Sequence, residues 1–115
     1  WQDEALGLQQ AEPDLLGDIV LSRKDTPTSY HLSVTLDDAL QGITHIIRGK
    51  DLFHATHVHV LLQKLLGLKQ PVYHHHGLLL DKDGKRLAKR DKDQTLQNIR
   101  CAGISPAQLI DEIMD

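Results

Sequence analysis

Cysteine is nearly absent from this chain. Cys101 stands alone, so no internal disulfide can form, and that fits a reducing cytosol better than a secreted scaffold. Aromatics are scarce too: Trp1, Tyr30, Phe53 and Tyr73 are the whole set, so leucine is expected to fill most of the core. There is no excess of cation. Thirteen Lys and Arg stand against 16 Asp and Glu, a balance that argues against indiscriminate polyanion binding and makes any nucleic-acid contact a local one. No apolar run approaches the roughly 20 residues of a membrane span, and no signal-peptide pattern is visible. The chain opens at Trp1 without an initiating methionine, which reads as a fragment of a longer protein.

What remains is ordinary globular composition. At 115 residues, 40% apolar and 25% charged, the chain is one domain or part of one, with a modest core. Residues 1–17 read as a polar lead-in with at most one helical turn, punctuated by Pro13 and Gly17. Residues 18–24 look like a strand, ended by the turn signal "DTPT". Residues 30–38 alternate: Leu32, Val34 and Leu36 fall on one face, His31, Ser33 and Thr35 on the other. That period of two predicts a half-buried strand, antiparallel to the first. A short helix or turn follows, then a strand over roughly 44–48.

The period changes at 55–67, where Val58, Leu61, Leu62 and Leu65 recur at helical spacing. Thr56 is read as the N-cap and Gly67 as the stop. Residues 72–81 read as a strand. Two short helices close the chain, one over 94–103 ended by Gly103, the other over 105–115 with Ser105 as N-cap and Pro106 in the first turn. A strand, helix and strand passage from about 44 to 81 is long enough for a parallel crossover. The expected fold class is therefore α/β, with ligands at the carboxyl ends of the strands.

Eight histidines, three of them consecutive at His74, His75 and His76, invite a metal reading. Neighbours on a strand point to opposite faces, so only His74 and His76 share one. His54 and His57 share a helical face, but no Cys-x-x-Cys or His-Glu-x-x-His spacing supports a metal site. Asp37 and Asp38 suggest acid–base work, yet they suit a junction between elements equally well. Tyr30, Arg48 and a basic loop are better placed. Arg48 stands at the carboxyl end of a strand, where a guanidinium can hold a carboxylate or phosphate through two parallel hydrogen bonds; a surface ion pair is the competing reading. "GKRLAKR" (84–90) gathers Lys85, Arg86, Lys89 and Arg90 in an otherwise acidic chain. Such a loop is either a solvated turn or a grip on polyphosphate.

In order along the chain, "GDIVLSRKDTPTSYHLSVTLDDALQGITHIIRGKDLFHAT" and "LLGLKQPVYHHHGLLLDKDGKRLAKR" resemble the glutamyl-tRNA synthetase lineage of class I aminoacyl-tRNA synthetases. The likeness covers about residues 14–105. It implies an α/β fold: the C-terminal half of a Rossmann-like class I catalytic domain, followed by short helices. On that frame 1–17 is the lead-in, 18–93 the second half of the nucleotide-binding domain, and 94–115 a short helical segment. "RLAKR" stands where the family has its Lys-Met-Ser-Lys-Ser-type loop. The resemblance implies that Lys89 stabilises the α-phosphate and pyrophosphate as glutamyl-adenylate forms, with Arg86 in place of the loop's first lysine and Ala88 in place of its serine. It implies glutamate recognition by Tyr30 and Arg48, with Arg48 facing a carboxylate. Leu78 and Leu79 fall where the family's backbone borders adenine.

"HATHVH" departs from the family's more usual Ser-Thr-Pro-Arg-Gln, so contacts made by that Arg or Gln are not inherited. The two short closing helices are similar to those of the truncated branch, the glutamyl-Q-tRNA(Asp) synthetases, which place glutamate on the queuosine base of tRNA(Asp). A conventional glutamyl-tRNA synthetase and a non-catalytic tRNA- or nucleotide-binding module of the same fold are the alternatives. The implied partners are ATP with Mg2+, glutamate and tRNA; zinc is expected only in a preceding N-terminal part. The family's His-Ile-Gly-His signature is absent, so the fragment alone is expected to be inactive. The whole protein is expected to be a cytoplasmic monomer without membrane contact.

Overall fold

Two parallel strands joined through a helix organise the first part of the chain. Strand β3 (His45–Gly49) leads through a 3-10 turn (Lys50–Leu52) into helix α2 (Phe53–Leu65), which returns to strand β4 (Val72–His76). β3 and β4 pair in parallel from His45 with Val72 to Gly49 with His76, so the expected crossover is present. Two further strands come from the expected lead-in. β1 (Gln2–Asp3) pairs in parallel with β4, and β2 (Gly7–Leu8) pairs antiparallel with β1, giving the order β2-β1-β4-β3. The lead-in's helical turn is the 3-10 stretch Pro13–Leu16, which packs on α2. The computed structural model describes residues 1–81, 83–86 and 95–114. They form two compact units, Trp1–Gly77 and Leu78–Asp115.

The expected hairpin over 18–38 is not formed. Residues 18–24 carry no strand pairing; the loop is tied by Arg23 N–H to Thr26 O (2.8 Å) and Ser29 N–H to Leu21 O (2.8 Å). Residues Tyr30–Leu40 form helix α1, which packs on α2. The alternation was real but ambiguous, since Leu32, Leu36 and Ala39 also share a helical face. Gly42 decides the matter. With φ of +69° it lets Gly42 N–H reach Ala39 O (3.1 Å) and Ile43 N–H reach Asp38 O (2.9 Å). That pair of bonds is a Schellman closure, which exists only at a helix end. Gly67 (φ +65°) ends α2 in the same way, as expected from the sequence.

Leucine does not fill the core. The buried apolar residues of the described chain are Trp1, Val58, Val60, Leu62 and Tyr73, with Ala11, Ile46 and Phe53 packed against the Trp1–Val60–Tyr73 cluster. Leu61 and Leu65, expected on the buried face of α2, are exposed, whereas Thr56, His57, His59 and Gln63 are buried there. Thr56 is thus interior to α2 and not its N-cap. Buried polar groups are tolerated where each finds a partner. His57 Nδ1 accepts from Glu12 N–H (2.9 Å), and Gln63 Nε2 donates to the Tyr73 hydroxyl (2.9 Å).

β4 does not extend to residue 81. That strand ends at His76, still in the first unit; the second unit begins at Leu78, and in it Leu80 pairs with Arg86 in a lone antiparallel bridge. Asp81 shapes the turn between them: its Oδ1 accepts from Asp83 N–H (2.9 Å) and Lys85 N–H (2.8 Å). Helices α3 (Leu96–Cys101) and α4 (Pro106–Met114) follow. The Thr95 hydroxyl caps α3 by accepting from Asn98 N–H (3.1 Å). Ser105 and Gln108 form a reciprocal capping box at α4, as Ser105 and Pro106 predicted.

Candidate active site

Arg48 is the penultimate residue of β3, at the strand's carboxyl end. Its side chain is half-buried and donates in three directions. Nε reaches His75 Nε2 (3.2 Å), one terminal nitrogen reaches His59 Nδ1 (3.2 Å), and the other bonds the Thr56 hydroxyl. The guanidinium carbon also lies 5.3 Å from the centre of the Tyr73 ring, within cation–π range. A guanidinium has five N–H donors in a rigid plane. These contacts use one on each nitrogen, so each terminal nitrogen keeps a second N–H for an anionic ligand.

Behind Arg48 stands a fully buried pair. His75 Nδ1 is 2.5 Å from Asp3 Oδ2, and both side chains are closed to solvent. Asp3 Oδ1 accepts from Ala5 N–H and Leu6 N–H, each at 2.9 Å. Burial pushes the Asp3 carboxyl up, but the bonds from His75, Leu6 and Ala5 outweigh it and leave its pKa lowered. An ionised Asp3 accepts from His75 Nδ1–H, which leaves Nε2 as the acceptor that Arg48 requires.

His59 is buried against the same guanidinium. Burial, then the Arg48 charge, then His31, push its pKa down to about 4. It is therefore neutral at pH 7, accepting from Arg48 on Nδ1 and donating from Nε2 to His31 Nδ1 (3.0 Å). Tyr30, at the start of α1, is 52% exposed, and its ring centre lies 5.8 Å from that of His59. Tyr30 and Arg48 thus both approach the His59 imidazole. Asp38, on α1, has a pKa raised by burial and by Asp37, against the field of Arg48.

Of the residues singled out from sequence, Tyr30 and Arg48 come together in the first unit. Leu78, Leu79 and Arg86 belong to the second, where Leu79 is half exposed and lines an apolar groove with Leu80, Leu96, Ile99 and Ile113. Leu87, Ala88, Lys89 and Arg90 lie outside the described residues. Asp37 and Asp38 sit on a helix, not at a strand end. His74 and His76 do share a strand face opposite buried His75; His74 approaches Glu4 (3.3 Å). Among the described residues no three His, Cys, Asp or Glu side chains are arranged to hold a metal ion.

Sequence reasoning missed Asp3, Thr56, His59 and His75 as parts of the site. "HATHVH" and "VYHHH" carried a signal in their histidines. Asp3 carried none, because it lies 72 residues from its partner.

A parallel α/β unit that presents a braced arginine at a strand's carboxyl end has the donor geometry that suits a small anion. The family model for tRNA synthetases class I (E and Q), catalytic domain, matches residues 1–114; the chain belongs to this family and has its α/β class I synthetase fold. It is 62% identical over 94 residues to the glutamyl-Q tRNA(Asp) synthetase of Rhodobacter capsulatus, covering 82% of this chain and 34% of that protein. The same-named protein of Symbiobacterium thermophilum is 44% identical over 108 residues, covering 94% of this chain and 33% of the relative. A crystal structure of a glutamate tRNA ligase from Elizabethkingia meningosepticum in complex with its amino acid superposes with a TM-score of 0.70 at 35% identity, over 81% of this chain and 19% of that one. The chain spans about a third of the length of these curated relatives.

Proposed function

We propose that this chain is part of an ATP-dependent ligase that activates glutamate as glutamyl-adenylate and transfers it to tRNA, namely to the queuosine base of tRNA(Asp). On this reading it is the C-terminal half of the catalytic domain. The observation that carries it is Arg48: a partly open guanidinium whose three nitrogens are held by Thr56, His59 and His75. A fixed planar donor set of this kind suits a carboxylate. Tyr30 flanks the same place. The glutamate side-chain carboxylate would rest on Arg48, leaving its α-carboxylate to attack the α-phosphate of ATP.

In that step a carboxylate oxygen forms a bond to phosphorus and the bond to pyrophosphate breaks. Lys89, with Arg86 beside it on the loop, would meet the charge that moves onto pyrophosphate, and Mg2+ would accompany the nucleotide. Leu78 and Leu79 would border adenine. A hydroxyl of queuosine then takes the glutamyl group and AMP leaves. On this reading the enzyme works in the cytoplasm, where its tRNA substrate would be met.

The identity to proteins named glutamyl-Q tRNA(Asp) synthetase favours tRNA(Asp) over the acceptor of a conventional glutamyl-tRNA synthetase. Pyrophosphate exchange by the complete protein with each amino acid tests activation. Glutamate-dependent exchange is expected; equal exchange with glutamine or aspartate would defeat the assignment. Transfer of labelled glutamate to queuosine-containing tRNA(Asp), and not to tRNA(Glu), tests the acceptor. The reverse result would mark a conventional synthetase, and no exchange at all a binding module.

A further inference from the structure

We infer that Asp3 and His75 are positioning residues that set the glutamate specificity of Arg48; the inference rests on the glutamate reading above. It starts from an asymmetry within one carboxylate. Asp3 Oδ1 is committed to two backbone donors, Ala5 N–H and Leu6 N–H at 2.9 Å. Only Oδ2 remains for His75, at 2.5 Å from Nδ1. Because that oxygen can only accept, the proton must sit on Nδ1, and Nε2 presents its lone pair to Arg48 Nε at 3.2 Å. The orientation of the guanidinium is thus specified from β1, through β4, to β3. Neither Asp3 nor His75 is exposed, so neither offers a surface to substrate; they act through Arg48.

The arrangement bears on specificity as well as affinity. A guanidinium free to rotate can adapt to an amide oxygen or a carboxylate. One held at Nε by His75 and at both terminal nitrogens by Thr56 and His59 keeps its remaining N–H bonds in fixed directions. A ligand with two acceptor oxygens can satisfy them, whereas an amide presents a donor in one of those places.

Asp3→Asn isolates the effect. The two backbone N–H groups retain the amide oxygen, so the amide NH2 faces His75. Nδ1 must then accept and the proton moves to Nε2, where it can turn to the Thr56 hydroxyl at 3.1 Å; Arg48 Nε–H loses its acceptor. The variant keeps size and shape and changes one tautomer.

The experiment has two readouts on the complete protein. The first is the 15N imidazole spectrum of His75. The wild type should show the Nδ1–H tautomer and Asp3→Asn the Nε2–H tautomer; Nε2–H in the wild type, or no change in the variant, would overturn the inference. The second is pyrophosphate exchange. Asp3→Asn should raise the KM for glutamate about 10- to 100-fold, by analogy with the loss of groups that orient a ligand-holding side chain, and narrow the preference for glutamate over glutamine. The KM for ATP should stay unchanged. An unaltered glutamate KM would overturn the positioning role, and so would equal rises for glutamate and ATP, which would signal general loosening. A wild type that lacks glutamate-dependent exchange would instead overturn the proposed function and the specificity claim with it, whichever tautomer His75 shows.

Discussion

Arg48 and His75 are register partners in the parallel β3–β4 ladder, and they are also bonded side chain to side chain, Nε to Nε2 at 3.2 Å. The ladder therefore carries the guanidinium and its brace on adjacent strands. Backbone pairing sets the spacing of these two residues. Sites built on strands are held more tightly than sites built on loops.

Replacing Arg48 tests the recognition role directly. Arg48→Ala should weaken glutamate binding by about 2–5 kcal/mol, the usual cost of removing one partner from a buried charge pair, and leave ATP binding nearly intact. Arg48→Lys should recover little, because a single ammonium cannot occupy three acceptors and a carboxylate together. Equilibrium glutamate binding to both variants checks this. Wild-type affinity in either would remove Arg48 from the site.

Lys89→Ala should slow adenylate formation by about 10²–10³-fold, as loss of one preorganised electrostatic donor typically does. Glutamate affinity should be unchanged, because under the proposed function the charge that Lys89 would meet develops only in the transition state. Arg86 and Arg90 lie close in sequence and would hold the loss toward the lower figure. Single-turnover adenylation measured beside glutamate binding separates the two effects. A full-speed variant would return "GKRLAKR" to being a solvated turn.

Stability should fall on mild acidification. His59 has a folded pKa of about 4 against an ordinary value near 6.5. Between those values the unfolded chain binds a proton that the folded chain refuses. The contribution of neutral His59 is thus complete above pH 6.5 and drains away as pH falls toward 4, by at most about 3 kcal/mol. Burial lowers His57 in the same sense. Asp3, also lowered, adds a further loss only below the ordinary carboxylate range. Urea midpoints measured from pH 7.5 to pH 4.5 should decline, and His59→Gln should flatten the decline. A flat wild-type profile would contradict the buried neutral imidazole.

Gly42→Ala should destabilise the protein by about 1 kcal/mol or more, because an L side chain is strained at φ of +69°. No atom within 4 Å crowds the new Cβ, so the cost is conformational and not steric packing. Gly42→Asn should be milder, since asparagine tolerates the left-handed region better. Denaturant midpoints for the two variants check the order.

Much of the fold was legible in residues close together in the chain. Gly67 and Gly103 marked helix ends, and Ser105 with Pro106 marked a helix start. The period of α2 predicted a helix over its range, and the apolar stretch around Ile46 and Ile47 predicted β3. These signals are local because capping and periodicity depend on neighbours a few residues away. The stretch 30–38 misled for the same reason. Its alternation satisfied strand and helix alike, and the absence of a pairing partner at 18–24 is not a local property.

The sequence by itself determined that Arg48 would stand at a strand's carboxyl end, and that Tyr30 and the basic loop were candidates for ligand contact. Only the tertiary structure decided what holds Arg48. Asp3 lies in a segment that read as a polar lead-in, and Thr56 read as a helix cap. The histidines at 59 and 75 offered no spacing that set them apart from the other six. Their roles come from the β1–β4–β3 order of the sheet, which brings a carboxylate 72 residues away within 2.5 Å of an imidazole. A buried charge is stable only where folding supplies its partners, and strand order, not the neighbouring sequence, supplied them here.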